Sequence, residues 1–176
     1  MKKSTALLVS ASAALALTVS APSVAHAQVG GARPFGLGLA LGYPDVGLSA
    51  QYFMNERTSL QFVLSFWYRN GRFGRDYVDN SSGLFLRADY LFHPATLIRG
   101  SVADLRFYIG PGLYAGFGNY DSFALGLELP IGLAVPFKSI PIDLAFEAVP
   151  RLAVVNNNGV GLGFGVGGTF HVRYYF

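Results

Sequence analysis

The sequence predicts an all-β fold of eight antiparallel strands in up-and-down order, closed as a transmembrane β-barrel. Three observations predict it. Large apolar residues recur at every second position through eight runs of the chain, the period of a strand with one apolar face. Every charged residue inside those runs falls on the opposite face. The composition is 52% hydrophobic and only 13% charged, against about 25% charged in an average soluble domain. Yet beyond the first residues no apolar stretch reaches the roughly 18 residues that a helical span needs.

The chain starts with a targeting pattern. Lys2 and Lys3 make a positive start, Ala6 to Val19 an apolar run, and Ala25-His26-Ala27 a small-x-small cleavage signal. Residues 1–27 are therefore expected to be a cleaved signal peptide, with Gln28 as the first mature residue. A membrane helix fits less well, because the run is short and ends in Ala-Pro-Ser rather than a basic flank. Without Lys2 and Lys3 the thirteen cations fall to eleven against ten acids, so no nucleic-acid footprint remains. Residues 28–34 form a short periplasmic N-terminal segment and 35–176 the barrel domain. The absence of cysteine excludes a disulfide framework, a thiolate metal site, a cysteine nucleophile and a lipoprotein anchor.

The strands follow in order. From Phe35 to Tyr43 large apolar residues alternate with Gly or Ala. Gly47–Met54 carries Leu48, Ala50, Tyr52 and Met54 on one face, and Ser59–Tyr68 carries Leu60, Phe62, Leu64, Phe66 and Tyr68. Gly83–Phe92 sets Leu84, Leu86, Ala88, Tyr90 and Phe92 against Arg87 and Asp89. Leu105–Leu113 sets Leu105, Phe107, Ile109 and Leu113 against Arg106 and Tyr108, and Phe123–Ile131 sets five apolar residues against Glu128. Ile142–Leu152 opposes Asp143, Glu147 and Arg151, and Val160–Phe176 opposes four glycines, His171 and Arg173. Turn residues separate the runs, among them Pro44-Asp45, Asn55-Glu56-Arg57, the long Arg69–Ser82 segment and Asn156-Asn157-Asn158.

The charges bear on which face is inside. Arg87, Asp89, Arg106, Glu128, Asp143, Glu147, Arg151 and Arg173 are four of each sign. Facing lipid they would cost up to several kcal/mol each at midplane depth, so in a membrane they must face the lumen. A soluble, lipocalin-like barrel would invert the pattern, and periodicity alone does not separate the two. Three features favour the membrane: a small, glycine-rich alternate face, a mature chain whose only lysine is Lys138, and aromatic residues gathered near strand ends, where interfacial girdles lie.

The last strand ends with Phe170, Val172, Tyr174 and Phe176 at alternate positions. This resembles the C-terminal insertion signal of Gram-negative outer-membrane barrels. Leu86–His93, Phe107–Tyr114, Leu127–Ala134, Ile142–Pro150 and the closing Val-Arg-Tyr-Tyr-Phe are similar to a family of small OmpA/OmpX-like barrels of unknown function. The resemblance implies residence in the cell outer membrane, contact with its lipid and lipopolysaccharide, delivery by the barrel assembly machinery, and a monomer. It implies no catalytic residues. The short Pro44–Val46 outer loop and the long Pro94–Asp104 periplasmic connection depart from the usual pattern of such barrels.

An eight-stranded barrel is filled by side chains rather than open, and buried ions there must be paired. The eight lumen charges are therefore expected to form a salt-bridge network, the direct role being structural or surface-binding. The alternatives are a narrow ion-conducting pore and a lipid-modifying enzyme. A glycosidase pair from Glu128 and Glu147 lacks a cleft. A hydrolase would need Ser with His near the outer rim, whereas His93 and His171 are expected near the periplasmic side. Gly163–Gly168 matches a dinucleotide fingerprint only formally, since no helix follows, and neither a metal-ligand spacing nor a cofactor is expected. In the longest outer loop, Arg69, Arg72 and Arg75 could contact lipopolysaccharide phosphates, and Phe73 and Tyr77 an extracellular protein.

Overall fold

The computed structural model describes residues 33–43, 46–67, 83–118, 123–156 and 159–176. Residues 1–27, expected as a leader, and the loop candidates Arg69, Arg72, Phe73, Arg75 and Tyr77 lie outside the described residues. The strands are β1 (Phe35–Tyr43), β2 (Val46–Asn55), β3 (Thr58–Trp67), β4 (Gly83–Arg99), β5 (Asp104–Ile109), β6 (Gly112–Gly118), β7 (Phe123–Glu128), β8 (Ile131–Pro136), β9 (Ile142–Asn156) and β10 (Gly159–Tyr175).

All pairings are antiparallel. β1 to β4 pair in sequence order. β5 and β6 both pair with β4, β7 and β8 both pair with β9, and across the gap β5 pairs with β8 and β6 with β7. Each of these couples is one strand interrupted in the middle, so the ladder has eight positions. It closes on itself because β10 pairs with β1, from Gly36↔Tyr175 to Tyr43↔Gly168, as well as with β9. The result is an up-and-down antiparallel sheet bonded as a ring.

The interruptions have a cause in the sequence. Pro111 and Pro130 have no N–H to give to a ladder, so regular pairing stops at Gly110-Pro111 and Leu129-Pro130. Their carbonyls still accept. The amide of Tyr90 donates to the oxygen of Pro111 at 2.9 Å, that of Gly110 to Pro130 at 3.1 Å, and that of Leu129 to Pro150 at 3.0 Å. Three prolines on consecutive ladder positions thus step around the ring without opening it. The runs read as 105–113 and 123–131 continue past these points to Gly118 and Pro136.

The two faces differ completely. Large apolar side chains are exposed on the outside of every strand position: Leu39, Leu48, Phe62, Leu86, Leu113, Leu127, Phe146 and Phe164 represent the eight. Among the described residues the exposed charges are Glu56, Arg57, Arg99 and Lys138, all in turns or at a strand end. They lie at the end that holds the β2–β3, β4–β5 and β8–β9 turns, called here the near end. The other strand ends, the far end, flank residues 44–45, 68–82, 119–122 and 157–158. Phe170, Val172, Tyr174 and Phe176 share the outward face of β10, with the rings of Tyr174 and Phe176 edge to face at 5.0 Å.

Candidate functional site

The inward face is polar in its middle and aromatic towards both ends. Towards the far end Phe85 and Tyr114 stack at 5.2 Å with Ala124 and Ala153 around them. Towards the near end lie Phe53, Tyr175, Leu91, Tyr108 and His93. Between these layers the ladder lines up polar residues. Gln61, Asp89, Gly112, Glu128 and Arg151 are successive register partners from β3 to β9. Arg173 of β10 is directly opposite Asp143 of β9, and Tyr108, Gly132, Glu147 and Thr169 make a further row. Strand parity puts every one of these side chains on the inward face.

Three arginines organise the centre. Arg87 donates from Nε to Oε1 of Glu128 at 2.6 Å, and from Nη2 to Oε1 of Glu147 at 2.9 Å and Oδ2 of Asp89 at 3.1 Å. Arg151 donates from Nε to the other oxygen of Glu128 at 3.0 Å, and its guanidinium lies 4.6 Å from the centre of the Phe85 ring. Arg173 grips Asp143 with two parallel bonds of 3.0 Å and reaches Oε1 of Gln61 at 2.7 Å. The planar fork of arginine permits two parallel bonds to one carboxylate, which a lysine point charge does not. Glu128 is a bridge, with one carboxylate oxygen for each of two guanidiniums.

Uncharged groups join these pairs into one web. The Gln61 amide donates to Asp89 at 3.2 Å and to Glu147 at 3.1 Å, and the Tyr108 hydroxyl donates to Glu147 at 3.0 Å. The Tyr175 hydroxyl lies 2.7 Å from Gln51 and 3.1 Å from Asp143. Gln51 continues to Ser59 at 2.8 Å and Ser59 to His93 at 2.9 Å. Two glycines make room for it. A Cβ at Gly132 would overlap the ring end of Tyr108, and one at Gly112 would overlap Oδ1 of Asp89. Each lets a longer side chain on the adjacent strand lie across its neighbour.

Of the eight charges singled out in the sequence, Arg87, Asp89, Glu128, Asp143, Glu147, Arg151 and Arg173 are buried on the inward face and meet as described. Arg106 does not join them. Its side chain is 19% exposed near the start of β5, and its nearest carboxylate is Asp104 at 4.0 Å, itself held by Lys138 at 3.0 Å. Close to the turn end, Arg106 retains access to water that the central arginines lack. Asp104 lies one residue before the alternating run that starts at Leu105. His171 lies in the near-end half of β10, opposite Ala40 and Ala145, with Nδ1 3.0 Å from Ser49 and Nε2 3.1 Å from Glu147.

Ser49, His171 and Glu147 thus form a hydroxyl, imidazole and carboxylate in series. All three are fully buried, so the hydroxyl is presented to no surface where a substrate could meet it. The carboxylates are likewise committed to arginine, glutamine, tyrosine or histidine partners. No cluster of metal-ligating side chains occurs among the described residues. Gln51, Gln61, Tyr108, Tyr175, Ser49 and Ser59 are the members that charge counting alone omitted. Parity was the available signal: Tyr108 alternates with Arg106 and Tyr175 with Arg173, and Ser49, Gln51, Ser59 and Gln61 are the polar residues opposite the apolar rows of β2 and β3. No family model, curated protein or solved structure matches the chain.

Proposed function

We propose that this chain is an integral outer-membrane β-barrel of structural or surface-binding role, its lumen closed by the ion network and no catalysis carried out there. One observation carries the reading: the outside of the ring is apolar on every strand, while the charges outside the turns and strand ends are buried and paired on the inside. A soluble protein seldom exposes a contiguous apolar patch beyond a few hundred Å². An apolar belt running round the whole ring needs a solvent as apolar as itself, which a bilayer supplies. A lipocalin-like carrier would need the apolar row inside, against a ligand, and here that row is outside.

The same physics explains the lumen. An eight-stranded barrel is too narrow to hold a water column around ions, so the charges that fill it must neutralise one another. The far-end connections would then face the exterior, where the arginines and aromatics of 69–77 meet lipopolysaccharide or a protein ligand. The near-end turns would face the periplasm. The barrel assembly machinery would insert the chain by its terminal strand. The test is refolding of the chain without its leader. A compact, boil-sensitive band on gel electrophoresis, obtained in detergent and not in plain buffer, is expected. A protein that folds and stays soluble without detergent overturns the reading.

A further inference from the structure

Four aliphatic side chains are exposed where a membrane reading does not call for them. Leu97 (55%) and Ile98 (59%) lie at the end of β4, Val102 (62%) in the β4–β5 turn and Ile140 (44%) in the β8–β9 turn. Leu97 and Ile98 follow Tyr90 and Phe92, whose rings are 4.9 Å apart and edge to face, along β4 towards the near end. The two turns are one body. Ala103 bridges Phe137, and the Lys138 amide donates to the oxygen of Val102 at 2.9 Å. The turn itself is closed by the Gly100 amide on Ala103 at 3.1 Å.

Cations predominate beside these residues, the one acid among them being Asp104, which is opposite Arg99 in the ladder and pairs with Lys138 at 3.0 Å while leaving that ammonium half exposed. Arg99 and Lys138 are exposed on the projection, and Arg57 is exposed at its base, where its carbonyl takes the His93 amide at 2.7 Å. Glu56 is the only exposed acid among the described residues. The apolar part continues the outer wall, because Ile98 pairs with Leu105 and Ala95 with Phe107, both on the outward face. A neighbouring strand edge is poorly suited to a protein partner, since Pro94 and the register shift at Leu97 break the regular edge that a peptide strand would need.

We infer that this projection is a lipid-headgroup site: its aliphatic residues enter the membrane boundary and Arg99 and Lys138 bind the phosphate of an anionic phospholipid. The inference rests on the membrane reading above and names a ligand for its near end. Each cation close to an anionic membrane surface strengthens binding by about fivefold.

Native mass spectrometry of the detergent-refolded chain, with equal amounts of phosphatidylglycerol and phosphatidylcholine of identical acyl chains, tests it. Preferential retention of phosphatidylglycerol is expected, falling by about fivefold for Arg99→Gln and again for Lys138→Gln. The adduct ratio of Glu56→Gln should not fall. Equal retention of both lipids, or a preference untouched by the double variant, overturns the inference. Because the chain has no cysteine, a fluorophore at Val102→Cys gives a second readout that survives poor mass spectra. Quenching by lipids labelled near the headgroup supports the site, and quenching only by an aqueous quencher sinks it. If the chain gives no boil-sensitive band in detergent, the membrane reading itself fails. If the band forms and the lipid preference is absent, only the headgroup site fails.

Discussion

Replacing Glu128 by alanine strikes the network at its bridge. The carboxylate accepts Arg87 Nε at 2.6 Å and Arg151 Nε at 3.0 Å, and the side chains involved are at most 9% exposed. Removing one partner of a buried ion pair costs about 3–5 kcal/mol, because a charge is left without its counter-ion. Two guanidiniums lose an acceptor here, but Arg87 keeps Asp89 and Glu147, and Arg151 keeps the Phe85 ring. The lower half of that range, about 3–4 kcal/mol, is therefore expected. With a urea slope of about 2 kcal/mol per molar, the unfolding midpoint should fall by about 1.5–2 M. Folded fraction is read from boil-sensitive gel migration after equilibration in lipid vesicles. Glu128→Gln keeps one acceptor oxygen and loses the charge, so it should fall between alanine and wild type. Glu56→Ala, on an exposed turn, should change stability by no more than about 0.5 kcal/mol, a midpoint shift of at most about 0.25 M. If Glu128→Ala is no worse than Glu56→Ala, the ion network does not hold the ring.

Arg173→Met and Asp143→Asn should each destabilise strongly, and the double substitution by less than their sum, with a coupling energy of about 1–3 kcal/mol in a double-mutant cycle. Additivity would mean that the parallel bonds between them contribute nothing. Gly132→Ala drives a Cβ into the Tyr108 ring and to 2.8 Å from the Phe146 carbonyl oxygen, and should cost about 1–3 kcal/mol; in a Tyr108→Ala background the cost should shrink but not vanish, because the backbone contact remains, measured by the same unfolding assay. Leu39→Arg puts a charge on the outer wall in mid-strand and should cost about 2–4 kcal/mol in a bilayer, whereas a soluble ring would tolerate it. In planar bilayers the wild-type protein should show no resolved conductance steps, and steady steps would mean that the interior is not closed.

Strands and faces were legible because a sheet writes its two sides at alternate positions. Leu105, Phe107 and Ile109 against Arg106 and Tyr108 can be read without knowing any neighbour. The breaks at Pro111 and Pro130 were not, since Pro111 replaces a member of the apolar row and Pro130 a member of the opposite row with Glu128, and the alternation passes through both undisturbed. The identity of the ion partners was also hidden. Arg173 meets Gln61 across 112 residues of sequence, and that meeting depends on the register of every intervening strand. Arg106 was grouped with the central charges for the same reason: parity gives the side of the wall, and only depth along the strand separates a water-accessible mouth from a dry middle.

Depth also bears on where a function of this ring of strands would be found. Across the middle of the ring, Arg87 joins Glu128 and Glu147, Arg151 joins Glu128, and Arg173 joins Asp143 and Gln61, which itself reaches Asp89 and Glu147. To admit a solute, this web would have to part, leaving several ions unpaired at once in a narrow space, each at a cost of several kcal/mol. The aromatic layers at both ends add a barrier to water. The outer wall, for its part, offers almost uniform hydrocarbon and discriminates little between neighbours. Selectivity must therefore come from the two ends, where side chains are both polar and accessible. At the near end that means the projection carrying Arg99 and Lys138, and the contrast between a sealed middle and a charged, exposed tip is the physical reason to look there first.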